Sequence, residues 1–222
     1  MSIKAVLFDV YGTLLDVHGL TPFLDRLAPG RGESLSALWR QRQIDYTRLR
    51  TLIDKYEPFD RVTADGLDFA CAKLGVELAP HAREELLRAY ETLPLHADVL
   101  DTLPALSGRQ LGILSNGTTS MLTAGLRAAG IAPFFRHVLS ADSVRKYKIA
   151  PEVYQLGPRA LGLPPEDIAF VSSNAWDAAG ATWFGYRVFW VNRLGEPPEK
   201  LGVSPEHEAR SLAELPDWLR RS

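Results

Sequence analysis

The chain has 222 residues, 46% of them hydrophobic and 23% charged, with a formal net charge of −2. That is enough for one large domain, or a core with a small second unit, but it offers no basic excess for a nucleic-acid partner. No apolar run is long enough to span a bilayer, and Cys71, the only cysteine, excludes an intrachain disulfide and a cysteine-rich metal site. Residues Ala5 to Phe8 form a short apolar run that reads as a buried strand. The N-terminus enters that strand without a targeting segment, so a cytoplasmic location is the expectation. Asp9 follows the strand at once, and Gly12 lets the chain turn away. From Leu20 to about Leu95 only helical periods occur. Gly30-Arg31-Gly32 is a break, and Ser34 is placed to cap a long helix to about Tyr56. Further helices are predicted from about Arg61 to Leu74, with Gly75 past the end, and from Pro80 to about Glu91.

From Ala97 helices and strands alternate. A helix is predicted from Val99 to Leu106, then a strand from Gln110 to Leu114 that runs into Ser115-Asn116-Gly117. Thr118 or Thr119 caps a helix stopping near Gly130, and His137 to Leu139 is a short strand. One helix is predicted from Pro151 to near Gly162. The strand Ile168–Val171 runs into Ser172-Ser173-Asn174, and Asn174 or Ser173 caps a helix to Phe184. Arg187 to Val191 is the last clear strand, Gly195 to Pro205 a loop, and Leu212 to Leu219 a terminal helix. Strands separated by helices imply parallel βαβ units and an α/β, doubly wound, Rossmann-like sheet. The expected division is a catalytic core of residues 1–15 and 97–222 with an inserted helical cap of residues 16–96.

Three strand ends carry polar clusters: Asp9, Tyr11 and Thr13; Ser115 and Asn116; Ser172, Ser173, Asn174 and, one turn on, Asp177. A parallel sheet puts all three on one edge, where open α/β sheets bind ligands. Lys148 precedes the next helix and reaches the same edge. The five histidines are scattered and form no metal-ligand pattern.

These clusters resemble the motifs of the haloacid dehalogenase superfamily along essentially the whole chain. Asp9-Val10-Tyr11-Gly12-Thr13 resembles the first motif, with Asp9 the nucleophile. Ser115-Asn116-Gly117 resembles the second, Lys148 the third, and Ser172 to Asp177 the fourth. Phosphatases of the superfamily carry a second Asp where this chain has Tyr11, and bring acidic magnesium ligands from the fourth motif, where Ser172, Ser173 and Asn174 precede the single Asp177. A hard dication wants several oxygen ligands. These departures resemble the L-2-haloacid dehalogenase (type II) subfamily, which uses no metal or other cofactor. The run from Ser36 to Thr47 is similar to that subfamily's cap helix, and Arg40 and Ile44, four residues apart, share a face. Phe59 and Trp176 fall where the subfamily builds its apolar substrate pocket, and Tyr154 matches another functional position. Ile149 stands where the subfamily commonly has a proline.

The resemblance implies hydrolysis of a short L-2-haloalkanoate. Asp9 would attack C2, invert it and form an ester, while Arg40 and Asn116 stabilise the departing halide. Ser115 and nearby backbone N–H groups would hold the substrate carboxylate, and Tyr11, Ile44, Phe59 and Trp176 its body. Lys148 would keep Asp9 ionised, with Thr13 and Ser172 supporting Asp9 and Lys148. Asp177, helped by Asn174, would orient or deprotonate the water that opens the ester. A homodimer is also implied. The competing expectations are a magnesium-dependent phosphatase, a metal-free hydrolase of another activated carbon centre, and a non-catalytic binding protein on the same fold.

Overall fold

The computed structural model describes residues 2–222. Its strands are β1 (Ala5–Phe8), β2 (Gln110–Ser115), β3 (His137–Ser140), β4 (Ile168–Ser172), β5 (Arg187–Val191) and β6 (His207–Ala209). All pair in parallel, in the order β3-β2-β1-β4-β5-β6. Every residue of β1 and β4 is buried, as expected of continuous apolar strands covered on both faces. The order reverses at β1, which makes its C-terminal end the topological switch point. Phe8 lies level with Ile113 and Val171, so Asp9 emerges between the ends of β2 and β4. Its backbone N–H still donates to Val171 O at 2.9 Å. Gly12 then takes φ +91°, a turn that a residue with a Cβ resists.

The helices α1 (Thr21–Leu27), α2 (Gly32–Leu52), α3 (Phe59–Leu74) and α4 (Pro80–Tyr90) follow β1 before the alternating half begins. The chain leaves and returns side by side: Leu15 and Leu95 form an antiparallel bridge, flanked by backbone bonds from Asp16 to Pro94 (2.8 Å) and from His96 to Leu14 (3.0 Å). A second seam closes the other side. Tyr56 donates to Asp142 at 2.5 Å, Tyr147 donates to Glu57 O at 2.5 Å, and the two rings lie 5.1 Å apart. The later helices are α5 (Val99–Ala105), α6 (Thr119–Ala128), α7 (Pro151–Tyr154), α8 (Leu156–Leu161), α9 (Ala175–Phe184) and α10 (Leu215–Arg221). Among the described residues, no helix is long and apolar enough to cross a membrane.

Several expectations are corrected. The long helix starts at Gly32 and ends at Leu52, and Ser34 is inside it; its hydroxyl donates back to Arg31 O instead of capping. The segment after Pro151 is two helices, α7 and α8, broken at Gln155. The edge strand β6 falls in a stretch without apolar alternation. Of the two expected caps of α6, Thr118 is the one that holds the position, as the sequence allowed, accepting from Met121 N–H at 3.3 Å. Asn174 occupies the cap position of α9, but its side chain makes no capping bond because it is engaged elsewhere.

Candidate active site

The site is built on Asp9, which is 5% exposed and receives three donors. Lys148 Nζ donates to Oδ1 at 3.0 Å; Thr13 Oγ1 (3.0 Å) and Asn174 Nδ2 (2.9 Å) donate to Oδ2. Thr13 is itself fixed, since its hydroxyl accepts from Ser173 N–H at 2.8 Å. The carboxylate therefore has one defined orientation, set by groups from the ends of β1 and β4 and from the loop before α7.

Lys148 is 1% exposed and joins Asp9 to Asp177, whose Oδ2 accepts from Nζ at 2.8 Å. Burial pulls the lysine pKa down, but the charges of Asp177 and Asp9 outweigh it, so the ammonium is held above its ordinary range. Asp177 is wholly buried and also accepts from Tyr154 (2.7 Å, at Oδ1) and Ser172 (3.0 Å, at Oδ2). Its pKa is raised, chiefly by burial, with Lys148 opposing. Ser172 supports Asp177 and not Lys148, which corrects the sequence expectation. The Lys148 backbone N–H donates to Asn116 Oδ1 at 2.9 Å, which turns the Asn116 NH2 away from that contact. The Lys148–Ile149 peptide is cis.

Asp9, Tyr11, Arg40, Ile44, Phe59, Ser115, Asn116, Asn174 and Trp176 together line a cavity of about 20 Å³. Tyr11 packs between Phe59 (ring centroids 5.3 Å apart) and Tyr90 (5.7 Å), and burial raises its phenol pKa far above the usual value. Its ring lies in the lining of the cavity. Trp176 stands under the Arg48 guanidinium, 5.0 Å from its ring. The Ser115 hydroxyl accepts weakly from Gly117 N–H, at 3.4 Å, and donates to none of the described residues.

Arg40 reaches this cavity from α2. Its Nη2 donates to Tyr11 O at 3.1 Å and Asn174 Oδ1 at 3.3 Å, and its Nη1 to Gln43 Oε1 at 2.7 Å. Arg40, Ile44 and Asn174 also border a larger cavity of about 500 Å³, whose lining includes His18, His96 and Arg193. These shared residues form the partition between the two spaces. The sequence reading passed over Thr47, which lines the small cavity one helical turn beyond Ile44, and Gln43, which holds Arg40. Both stand at helical spacing from Arg40, the signal that could have found them.

The arrangement offers a fixed carboxylate beside an apolar cavity with a guanidinium and an amide at its rim. Asp9 and Asp177 face each other across Lys148 Nζ, where a bridging dication would have to sit. Two carboxylates around a fixed cation do not suit magnesium, which wants several oxygen ligands. Among the described residues no group of three or more His, Cys, Asp or Glu side chains could hold a metal ion.

Residues 3–185 match the family model described as haloacid dehalogenase-like hydrolase. The (S)-2-haloacid dehalogenase of Pseudomonas sp. (strain YL) is 45% identical over 212 residues, covering 95% of this chain and 91% of that one. A crystal structure of an L-2-haloacid dehalogenase superposes with a TM-score of 0.97 at 48% identity, covering 99% of this chain and 100% of that one. The L-2-haloacid dehalogenase of Xanthobacter autotrophicus with chloropropionic acid covalently bound gives a TM-score of 0.94 at 34% identity, covering 98% of each chain.

Proposed function

The chain belongs to the haloacid dehalogenase-like hydrolase family, and from that premise we propose that it hydrolyses short L-2-haloalkanoic acids to D-2-hydroxy acids. The observation that carries this reading is the Asp9 carboxylate, aimed by Lys148, Thr13 and Asn174 beside a small apolar cavity that ends in Arg40. In the proposed division, residues 1–15 and 97–222 are the catalytic core and residues 16–96 the cap that supplies Arg40, Ile44 and Phe59.

An Asp9 oxygen attacks C2 from the side opposite the halogen. The new C–O bond forms as the C–halogen bond breaks, and the halide leaves with the bonding pair toward Arg40 and the Asn116 NH2. The Ser115 hydroxyl holds the substrate carboxylate, and Tyr11, Ile44, Phe59 and Trp176 enclose the carbon body. Water then attacks the Asp9 ester carbonyl. Asp177, made more basic by burial, takes its proton once Lys148 or Ser172 releases an oxygen; Tyr154 keeps the other oxygen in place. The bond between the Asp9 carbonyl carbon and the substrate-derived oxygen breaks, Asp177 returns the proton to the leaving alkoxide, and the Asp9 carboxyl group releases the water's second proton to solvent, which restores both carboxylates. C2 is inverted once.

No step passes through a metal. Tyr11 is packed in the wall at the position where a phosphatase needs its acid, which counts against phosphoester hydrolysis. The exposed apolar face at the end of α2 further suggests that the protein pairs with a second copy, and the lone buried thiol suits a reducing compartment such as the cytoplasm.

The test is chloride release from L- and D-2-chloropropionate in the presence of EDTA, beside Asp9→Asn. Release from the L-form alone, unaffected by EDTA and reduced by on the order of 10⁴-fold in the variant, is expected. No release from either form would overturn the proposal, as would a requirement for magnesium.

A further inference from the structure

Arg40 projects from a helix into the seam between two packed units, and an arginine side chain has many rotamers. Its aim has to be fixed by something that does not touch the substrate. Gln43, one turn further along α2, is fully buried, and its amide bonds to side chains on three helices. Its Oε1 accepts from Arg40 Nη1 at 2.7 Å and from the Tyr90 hydroxyl of α4 at 2.9 Å; its Nε2 donates to Thr63 Oγ1 of α3 at 2.6 Å.

The polarity of this chain is forced. Thr63 commits its hydroxyl proton to Phe59 O at 2.7 Å, so toward Gln43 it can only accept. Gln43 must therefore present NH2 to Thr63 and its carbonyl oxygen to Arg40, a cation with no acceptor atom. Tyr90 is kept in its neutral, donating form by burial, which raises its pKa. The helices meet closely enough for these short bonds because Gly66 lies at the crossing, where a Cβ would stand 3.2 Å from Gln43 N and 3.4 Å from Trp39. Trp39 completes the joint by donating to Thr63 O at 2.8 Å.

We propose that Gln43 is a positioning residue for the halide-departure step, holding the Arg40 guanidinium at the cavity rim through a hydrogen-bond chain oriented by Thr63 and Tyr90. The inference rests on the dehalogenase reading above. An apolar residue at position 43 removes the shortest of the guanidinium's hydrogen bonds and leaves it held only by Tyr11 O and Asn174 Oδ1, so its aim at the cavity is loosened. The cost falls on the step in which the halide gathers charge. It is larger for chloride than for bromide, because the poorer leaving group depends more on the fixed cation.

The experiment measures kcat/KM for L-2-chloropropionate and L-2-bromopropionate in the unaltered protein, Gln43→Leu, Gln43→Glu and Thr63→Val, with Tm for each. kcat/KM covers steps up to halide departure, so ester hydrolysis does not enter it. Gln43→Leu is expected to lose about 10–100-fold with the chloride, the scale of one hydrogen bond to a charged group, and less with the bromide. The bromide-to-chloride ratio therefore rises. Gln43→Glu keeps the acceptor and brings the ratio back toward the unaltered value. Thr63→Val, which keeps the side-chain shape but frees the amide to turn, moves the ratio in the same direction as Gln43→Leu. A purely structural role would lower Tm and both rates together, and an unchanged ratio in Gln43→Leu and Thr63→Val overturns the positioning role alone. No halide release by the unaltered protein overturns the dehalogenase reading and this inference with it.

Discussion

Lys148 is an ammonium with almost no contact with water, and such a group persists only when its charge is matched. Asp9 and Asp177 match it at 3.0 and 2.8 Å, and the Phe170 ring lies 4.8 Å from Nζ. Removing the lysine would leave two buried carboxylates facing each other, the situation in which breaking a buried pair costs roughly 3–5 kcal/mol. The same arrangement sets a pH dependence. Asp177 must be ionised to accept a proton from the water that opens the ester, and its pKa is raised above the ordinary 3.8, so the acid limb of ester hydrolysis, read in kcat, lies at higher pH than an exposed aspartate would give. Lys148 must stay charged, and its pKa is raised above the ordinary 10.5. A group whose folded pKa is raised stabilises the fold below its unfolded pKa, and that contribution is lost as pH rises through the folded value. Activity is thus expected to hold across neutral and moderately alkaline pH, with Tm falling only above about 10.5 on account of Lys148. A pH–rate profile with parallel Tm measurements checks this; an alkaline loss of activity near pH 8 would contradict it.

Single elements differ in how plainly the sequence announced them. The strands β1, β2, β4 and β5 are built on short apolar runs, because a parallel strand covered on both faces has no polar side to show. Their polar exits were equally legible, and from them came Asp9, Ser115, Asn116, Ser172 and Asn174. The strand β6, with His207 and Glu208 on the sheet edge, has no such run, and only pairing with β5 makes it a strand. The start of α2 was misread because Ser34 is a good capping residue in isolation, whereas Arg31 holds the cap position and Gly30 and Gly32 donate their N–H groups to Asp25. Asn174 shows the opposite conflict. Its local preference is to cap α9, but its amide is drawn to Asp9 and Tyr11 O, and the helix goes without that cap. Gln43 shares a helix face with Arg40, but its role becomes visible only once Thr63 and Tyr90 arrive from other helices.

At the scale of the whole molecule, the helical stretch between β1 and α5 is tied to the sheet half along the Leu15–Leu95 bridge and again at the Tyr56–Asp142 contact. Apolar side chains are exposed at the C-terminal end of α2 and just past it: Leu49, Leu52 and Ile53 are 51%, 81% and 61% exposed, with Phe69 of α3 beside Tyr46. A contiguous apolar patch of this kind on a folded surface calls for a partner. A second copy is the proposed one, and sedimentation should return about twice the 24.6 kDa chain mass, reverting to the single mass in Leu52→Glu. A single-chain mass for the unaltered protein at micromolar concentration would contradict the pairing. The central claim concerns Asp9, whose carboxylate is aimed into the cavity by three donors and shielded from bulk water. The most direct measurement is one turnover of L-2-chloropropionate by excess protein in H2(18)O, followed by mass analysis of product and of the peptide containing Asp9. If Asp9 forms the ester and water opens it at the carbonyl, the label enters Asp9 and the first-turnover 2-hydroxy acid carries none. Label in the product hydroxyl on that first turnover would mean that water attacked C2 directly, and the role assigned to Asp9 would fall.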